Sequence, residues 1–80
     1  IFIGITTSGT SPNILKAFDA AIDKKLTTIG FCGSKGISSE NCDYVLKVPS
    51  DKTARIQESH ILIGHIICGY IEKEYFKDLN

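Results

Sequence analysis

Five hydroxyl side chains crowd six consecutive residues, Thr6, Thr7, Ser8, Thr10 and Ser11 around Gly9, with Pro12 immediately behind them. Proline suits the first position of a helix, so the cluster runs into a helix N-terminus. There the backbone N–H groups lack intrahelical partners and the positive end of the helix dipole gathers. Many small donors, a backbone that can bend at glycine and a favourable dipole are the chemistry of phosphate or other anion binding. Ser11 before Pro12 is also an ordinary helix start with an N-cap hydroxyl. Capping needs one hydroxyl, and five exceed it. Neither nucleotide fingerprint, G-x-x-x-x-G-K-[ST] or G-x-G-x-x-G, occurs, which points to a phosphorylated small molecule rather than a nucleotide.

A second group of reactive residues, Arg55, Gln57, Glu58, His60 and His65, lies in an otherwise apolar stretch. Burying such groups without partners costs on the order of 1–3 kcal/mol each. His65, between Gly64 and Ile66, is the most isolated of them. By itself a lone histidine there reads either as a satisfied core residue or as a functional one.

These residues need elements to position them. Ile1 to Ile5 is a continuous apolar run that reads as a strand covered on both faces, as in a parallel sheet. Ile14, Leu15, Phe18, Ala21 and Ile22 recur on one face of a helix from residue 12 to about 25. Thr27 to Cys32 and Tyr44 to Val48 read as further strands, ended by Gly33-Ser34-Lys35-Gly36 and by Pro49. Strand, helix and strand with short connections make a βαβ unit, hence α/β architecture. Ligands then collect beyond the carboxyl ends of the strands, where the Thr6–Ser11 and Gly33–Gly36 loops fall. From Ser50 or Asp51 as N-cap, a helix runs to about residue 77 and ends in Glu72, Lys73, Glu74, Lys77 and Asp78. Ile61, Leu62, Ile63, Ile66, Ile67, Cys68, Tyr70 and Ile71 leave its middle almost no polar face. That helix should be buried on nearly all sides, with part of its cover from outside these residues or from other subunits. Gly64 and Gly69 would let another helix approach closely.

Composition narrows the partners. Eighty residues make one small domain at most, and folding at this length hides only about 60% of the unfolded surface. The absence of Met and the apolar start read as a piece of a longer protein. Nine Lys plus Arg balance nine Asp plus Glu, and no basic stripe suits nucleic acid. The apolar run Ile61 to Ile71 falls well short of the ~20 residues that span a bilayer. Cys32, Cys42 and Cys68 are odd in number and far apart, which fits neither a disulfide framework nor a C-x-x-C motif. A reducing cytoplasm is the expected compartment, with Cys32 and Cys68 as small buried hydrophobes.

The string Gly4-Ile5-Thr6-Thr7-Ser8-Gly9-Thr10-Ser11-Pro12-Asn13 is one of three that carry a resemblance. The others are Val48-Pro49-Ser50-Asp51-Lys52-Thr53-Ala54-Arg55-Ile56-Gln57-Glu58 and His60-Ile61-Leu62-Ile63-Gly64-His65. Together they closely resemble the sugar isomerase (SIS) domain family and, within it, the phosphoheptose isomerases. The first string is shared broadly by sugar-phosphate binders, whereas the Thr-Ala-Arg-Ile-Gln-Glu segment with its histidines is narrower. The resemblance implies residues 1–80 as the C-terminal part of a single SIS domain, a three-layer α/β/α fold with a parallel sheet in the order β-α-β-β-long α. It implies interconversion of sedoheptulose 7-phosphate and D-glycero-D-manno-heptose 7-phosphate through an enediol, for bacterial heptose biosynthesis in lipopolysaccharide or capsule, by a cytoplasmic homotetramer. Thr6, Thr7, Ser8 and Ser11 would hold the phosphate. Thr6 stands where the family often has serine, and Thr10 replaces a common asparagine. His65 would do acid/base work, and Gln57 and His65 would meet a zinc ion whose other ligands, a histidine and a glutamate, lie outside this chain.

Gln57 and His65 are eight residues apart, roughly 12 Å of rise and about 80° of rotation on a straight helix. Three arrangements accommodate that: a helix that starts later, ligands converging from different subunits, or one of the pair acting behind the metal's direct ligands. The same fold and loop would also serve a non-catalytic SIS module that binds a phosphosugar as a regulator or assembles with protein partners. A hexose-phosphate isomerase or deaminase would share the phosphate loop but lack the Arg55 to His65 pattern.

Overall fold

A computed structural model describes residues 1–37 and 42–77. Three parallel strands, β1 (Phe2–Ile5), β2 (Thr28–Cys32) and β3 (Tyr44–Lys47), form a sheet in the order β1-β2-β3. Between the first two strands runs helix α1 (Pro12–Asp23), and after the third comes helix α2 (Thr53–Phe76). The register pairs Gly4 with Gly30 and Ile5 with Phe31, then Phe31 with Leu46. The expected α/β class and element order are therefore present, and Asp78 lies outside the described residues.

Side chains of a strand alternate between faces, so the two helices take opposite sides of the sheet. Phe18 of α1 is fully buried over the backbone of Gly4 and Gly30, and its ring meets Phe2 edge-on at 5.1 Å. Phe31 points the other way, toward His60 of α2, with 5.7 Å between ring centroids. Ala21 joins Phe18 in the core, whereas Ile22 on the same predicted stripe is largely exposed.

Several local expectations are corrected. Lys52 stands at the N-cap of α2 in place of Ser50 or Asp51, because the Ser50 hydroxyl accepts the Lys52 N–H at 3.1 Å and closes a turn ahead of the helix. The Ser11 hydroxyl makes no cap bond, and its carbonyl instead accepts the N–H groups of Ile14 and Leu15. Ile1, Ile3 and Ile5 are exposed, so β1 is covered on its α1 face only. Only Ile56 and His60 of α2 are buried among the described residues, and Cys68 is exposed while Cys32 is fully buried. Burial of α2 on all sides is thus not met within this chain, which supplies one sheet face against one helix face.

Candidate functional site

Where β1 ends, the Thr6 N–H donates to the Phe31 carbonyl at 2.9 Å and sets the hydroxyl loop beside β2. The buried Thr6 hydroxyl accepts the Gly9 N–H at 3.2 Å and lies 3.2 Å from Ser11 Oγ, which is 3.4 Å from Ser8 Oγ. Ser8 Oγ in turn accepts from the Thr10 N–H at 3.2 Å and the Thr10 hydroxyl at 3.3 Å. Gly9 has φ of +77°, and a Cβ there would strike the Gly36 carbonyl, so the loop can close against its neighbour only with glycine at this position.

The loop borders a cavity of about 150 Å³ lined by Thr7, Ser8, Ser34, Lys35, Ser50 and Asp51, with Thr53 and Ile56 completing the wall. Of the four predicted phosphate residues, Thr7 and Ser8 reach this cavity. Thr6 and Ser11 stand behind them and hold the loop through their mutual contact. Ser34, Lys35, Ser50 and Thr53 are lining residues that the motif did not identify, although the Gly33–Gly36 loop was placed at the correct end of the sheet. Thr53 opens α2, whose first N–H groups lack helical acceptors, and Lys35 is the one cation of the lining. Donors, a helix N-terminus and a lysine around a small polar cavity are suited to an anion, with the Asp51 carboxylate the one opposing charge of the lining.

Gly33 joins this cavity to α2. A Cβ on it would lie 2.5 Å from Ile56 Cδ1 and 3.1 Å from the carbonyls of Ser50 and Thr7, so the helix packs directly on the backbone. Along the following turns of α2 runs an open, mainly apolar groove of about 420 Å³, lined by Gln57, His60, Ile61, Gly64, His65 and Cys68 with Ile5 and Phe31. Gln57 and His65 are both exposed on one unbroken helix and share this groove. A later helix start is thereby excluded as the way to bring them together. Gly64 lies between them, and a Cβ added there meets nothing within 4 Å.

His60 is the buried histidine, 3% exposed. Its Nε2–H donates to the Cys32 carbonyl at 2.9 Å, and its Nδ1 is buried with no partner. Arg55 and Glu58 form an exposed ion pair at 2.6 Å on the outer surface, away from both concavities, a geometry that contributes little.

For a metal, Gln57 Oε1 and a His65 ring nitrogen are chemically suitable donors. Eight residues apart on one unbroken helix, they stand about 12 Å apart along its axis, which leaves ligands converging from different subunits or one of the pair acting behind the direct ligands. Among the described residues no three His, Cys, Asp or Glu side chains group closely enough to hold an ion. The residues fit a shared metal site and do not form a complete one. Burial pushes the thiols of Cys32 and Cys42 up, against the opposing pull of Lys47 on the first and of the Tyr44 backbone on the second, which keeps both protonated and poor nucleophiles.

No family model matches the chain. It is 57% identical over 77 residues to phosphoheptose isomerase 2 of Campylobacter jejuni, covering 95% of this chain and 38% of that protein. Against the phosphoheptose isomerase of Sulfurimonas denitrificans it is 58% identical over 79 residues, 98% of this chain and 40% of the relative. The fold superposes on the structure of a phosphoheptose isomerase from Francisella tularensis with a TM-score of 0.79 and 42% identity, covering 89% of this chain and 41% of that one. A Neisseria gonorrhoeae phosphoheptose isomerase gives 0.74 and 37%, over 86% and 40%. The chain thus spans about 40% of the length of these relatives.

Proposed function

The chain belongs to the phosphoheptose isomerase family, and from that premise we propose that its parent protein interconverts sedoheptulose 7-phosphate and D-glycero-D-manno-heptose 7-phosphate. The observation that carries the reading is the pairing of an anion-suited cavity with a groove holding acid/base and metal-compatible side chains, lined by consecutive turns of the same helix α2. Thr7 and Ser8 bind the phosphate, Thr6 and Ser11 hold the loop that presents them, and Lys35 with the N-terminus of α2 adds positive potential.

Aldose and ketose exchange by removal of a proton from the carbon beside the carbonyl with protonation of the carbonyl oxygen, giving an enediol. The other enediol hydroxyl then loses its proton as a proton returns to the former carbonyl carbon. His65, exposed in the groove, is assigned to this proton traffic, with a second acid/base group supplied from outside these residues. Gln57 and His65 are this chain's contribution to a zinc site. When bound there, zinc supplies Lewis acidity toward the substrate carbonyl. The largely apolar floor of Ile5 and Phe31 lowers the local polarity around the reacting end.

The biological setting follows the same reading: a cytoplasmic homotetramer serving bacterial heptose biosynthesis for lipopolysaccharide or capsule. Three free cysteines agree with a reducing compartment, and no helix among the described residues is long and apolar enough to cross a membrane. The deciding experiment is an NMR assay of the full-length parent with sedoheptulose 7-phosphate, with and without chelator. Appearance of the aldose heptose phosphate, lost on chelation and restored by zinc, is the expected result. Binding without turnover would instead assign the fold to a regulatory phosphosugar-binding module.

A further inference from the structure

We propose that His60 is a positioning residue that fixes the separation between the hydroxyl-lined cavity and the Gln57/His65 groove, and thereby matches the site to the length of a seven-carbon sugar phosphate. The inference rests on the isomerase reading above. Such a substrate carries its phosphate at one end and its reacting carbonyl at the other, so one molecule must meet both concavities at once. Misplacement of reacting groups by about 1 Å can cost on the order of 10²-fold in rate.

The cavity is built mostly from the loops that follow the three strands, and the groove is built on α2. Their spacing therefore depends on how α2 is seated. Among the described residues of α2, only Ile56 and His60 are buried. Ile56 touches the Gly33 backbone through apolar atoms, a contact that permits sliding and rotation. His60 makes a directional bond, from Nε2–H to the Cys32 carbonyl at 2.9 Å. That carbonyl also accepts the Val48 N–H at 3.0 Å, so a single oxygen ties α2 to the ends of both β2 and β3. It lies one residue before Gly33-Ser34-Lys35, the segment that enters the cavity. The His60 ring itself lines the groove. One side chain thus touches the groove and is bonded to the root of the cavity loop.

Packing alone does not account for histidine at this position. Its Nδ1 is buried without a partner, a penalty that an apolar side chain of similar size would avoid. What histidine offers is a donor at the reach of Nε2.

The test uses two variants of the full-length parent. His60→Gln places an amide N–H near the reach of the lost Nε2, and His60→Asn keeps polarity but stops short of the Cys32 carbonyl. Binding is measured for inorganic phosphate and for two unreactive open-chain alcohols, the heptitol 7-phosphate and a pentitol 5-phosphate. The wild type should prefer the heptitol. His60→Asn should reduce that preference by about tenfold or more and lower kcat, with inorganic phosphate affinity unchanged. His60→Gln should restore most of both. A preference retained in His60→Asn would overturn the inference. So would loss of phosphate affinity together with the preference, which marks general damage to the cavity. Should His60→Asn fail to fold, His60→Gln decides alone: a wild-type preference supports the strut and its loss rejects it. A wild type that shows the length preference but no turnover defeats the isomerase reading and leaves the strut standing. A wild type that turns over substrate without length preference does the reverse.

Discussion

Ser8 is the hub of the hydroxyl loop, because its hydroxyl meets Ser11, the Thr10 N–H and the Thr10 hydroxyl while the residue also lines the cavity. Replacement by alanine removes three contacts that shape the loop and, on the proposed function, a donor to the phosphate. Ser8→Ala should weaken sugar-phosphate binding by roughly tenfold or more, as a hydrogen bond to a charged group is worth about 1.5–3 kcal/mol. Isothermal titration checks it, and an unchanged affinity would detach the loop from the phosphate. His65 faces a different question, since an imidazole nitrogen that binds zinc cannot also carry the transferred proton. His65→Asn should cut turnover by roughly 10²-fold or more. If zinc content, read by atomic absorption, survives the substitution, the loss belongs to proton transfer; if zinc is lost in proportion, the ring is a ligand.

At the scale of elements, α2 does two jobs: its first turn closes the anion cavity, and its second to fourth turns form the wall of the groove. Gly64 is the position where these can be separated, since a Cβ there meets nothing within 4 Å and the residue lines the groove next to His65. Gly64→Leu should therefore leave phosphate affinity intact and abolish most turnover by filling the groove, a result read from paired titration and NMR assays. Equal loss of both would mean that the helix had shifted as a body. The helix and strand positions were legible because apolar runs and the Ile14, Leu15, Phe18, Ala21 spacing are local signals, and the hydroxyl loop was legible because its donors are consecutive. The start of α2 was not, since a serine ahead of a helix reads as a cap whether its hydroxyl bonds the helix or, as with Ser50, a turn before it. Thr53 lines the cavity because α2 starts beside the strand-end loops, and His60 is buried because α2 docks on the end of β2. Neither is encoded in neighbouring residues.

For the molecule as a whole, the outstanding feature is apolar surface that a stable soluble domain would not leave open. Leu62, Ile66 and Tyr70, spaced four apart on α2, are 60%, 61% and 66% exposed, and Ile3 and Ile5 add the uncovered face of β1. Contiguous apolar surface of this kind marks a packing interface. Groove and interface lie on one helix, so a neighbouring element that covers Leu62 and Ile66 also stands beside the groove, where the proposed function needs further metal donors and a second acid/base group. On the proposed function, assembly and chemistry are then coupled. In the full-length parent, Leu62→Lys combined with Ile66→Lys should lower the oligomer mass seen by light scattering and reduce turnover together, while the hydroxyl-lined cavity, built from the first turn of α2 and the strand loops, keeps its affinity for inorganic phosphate. Reduced turnover at an unchanged mass would assign the cover to another segment of the same chain. Unchanged turnover at a reduced mass would show that one subunit holds every donor the groove requires.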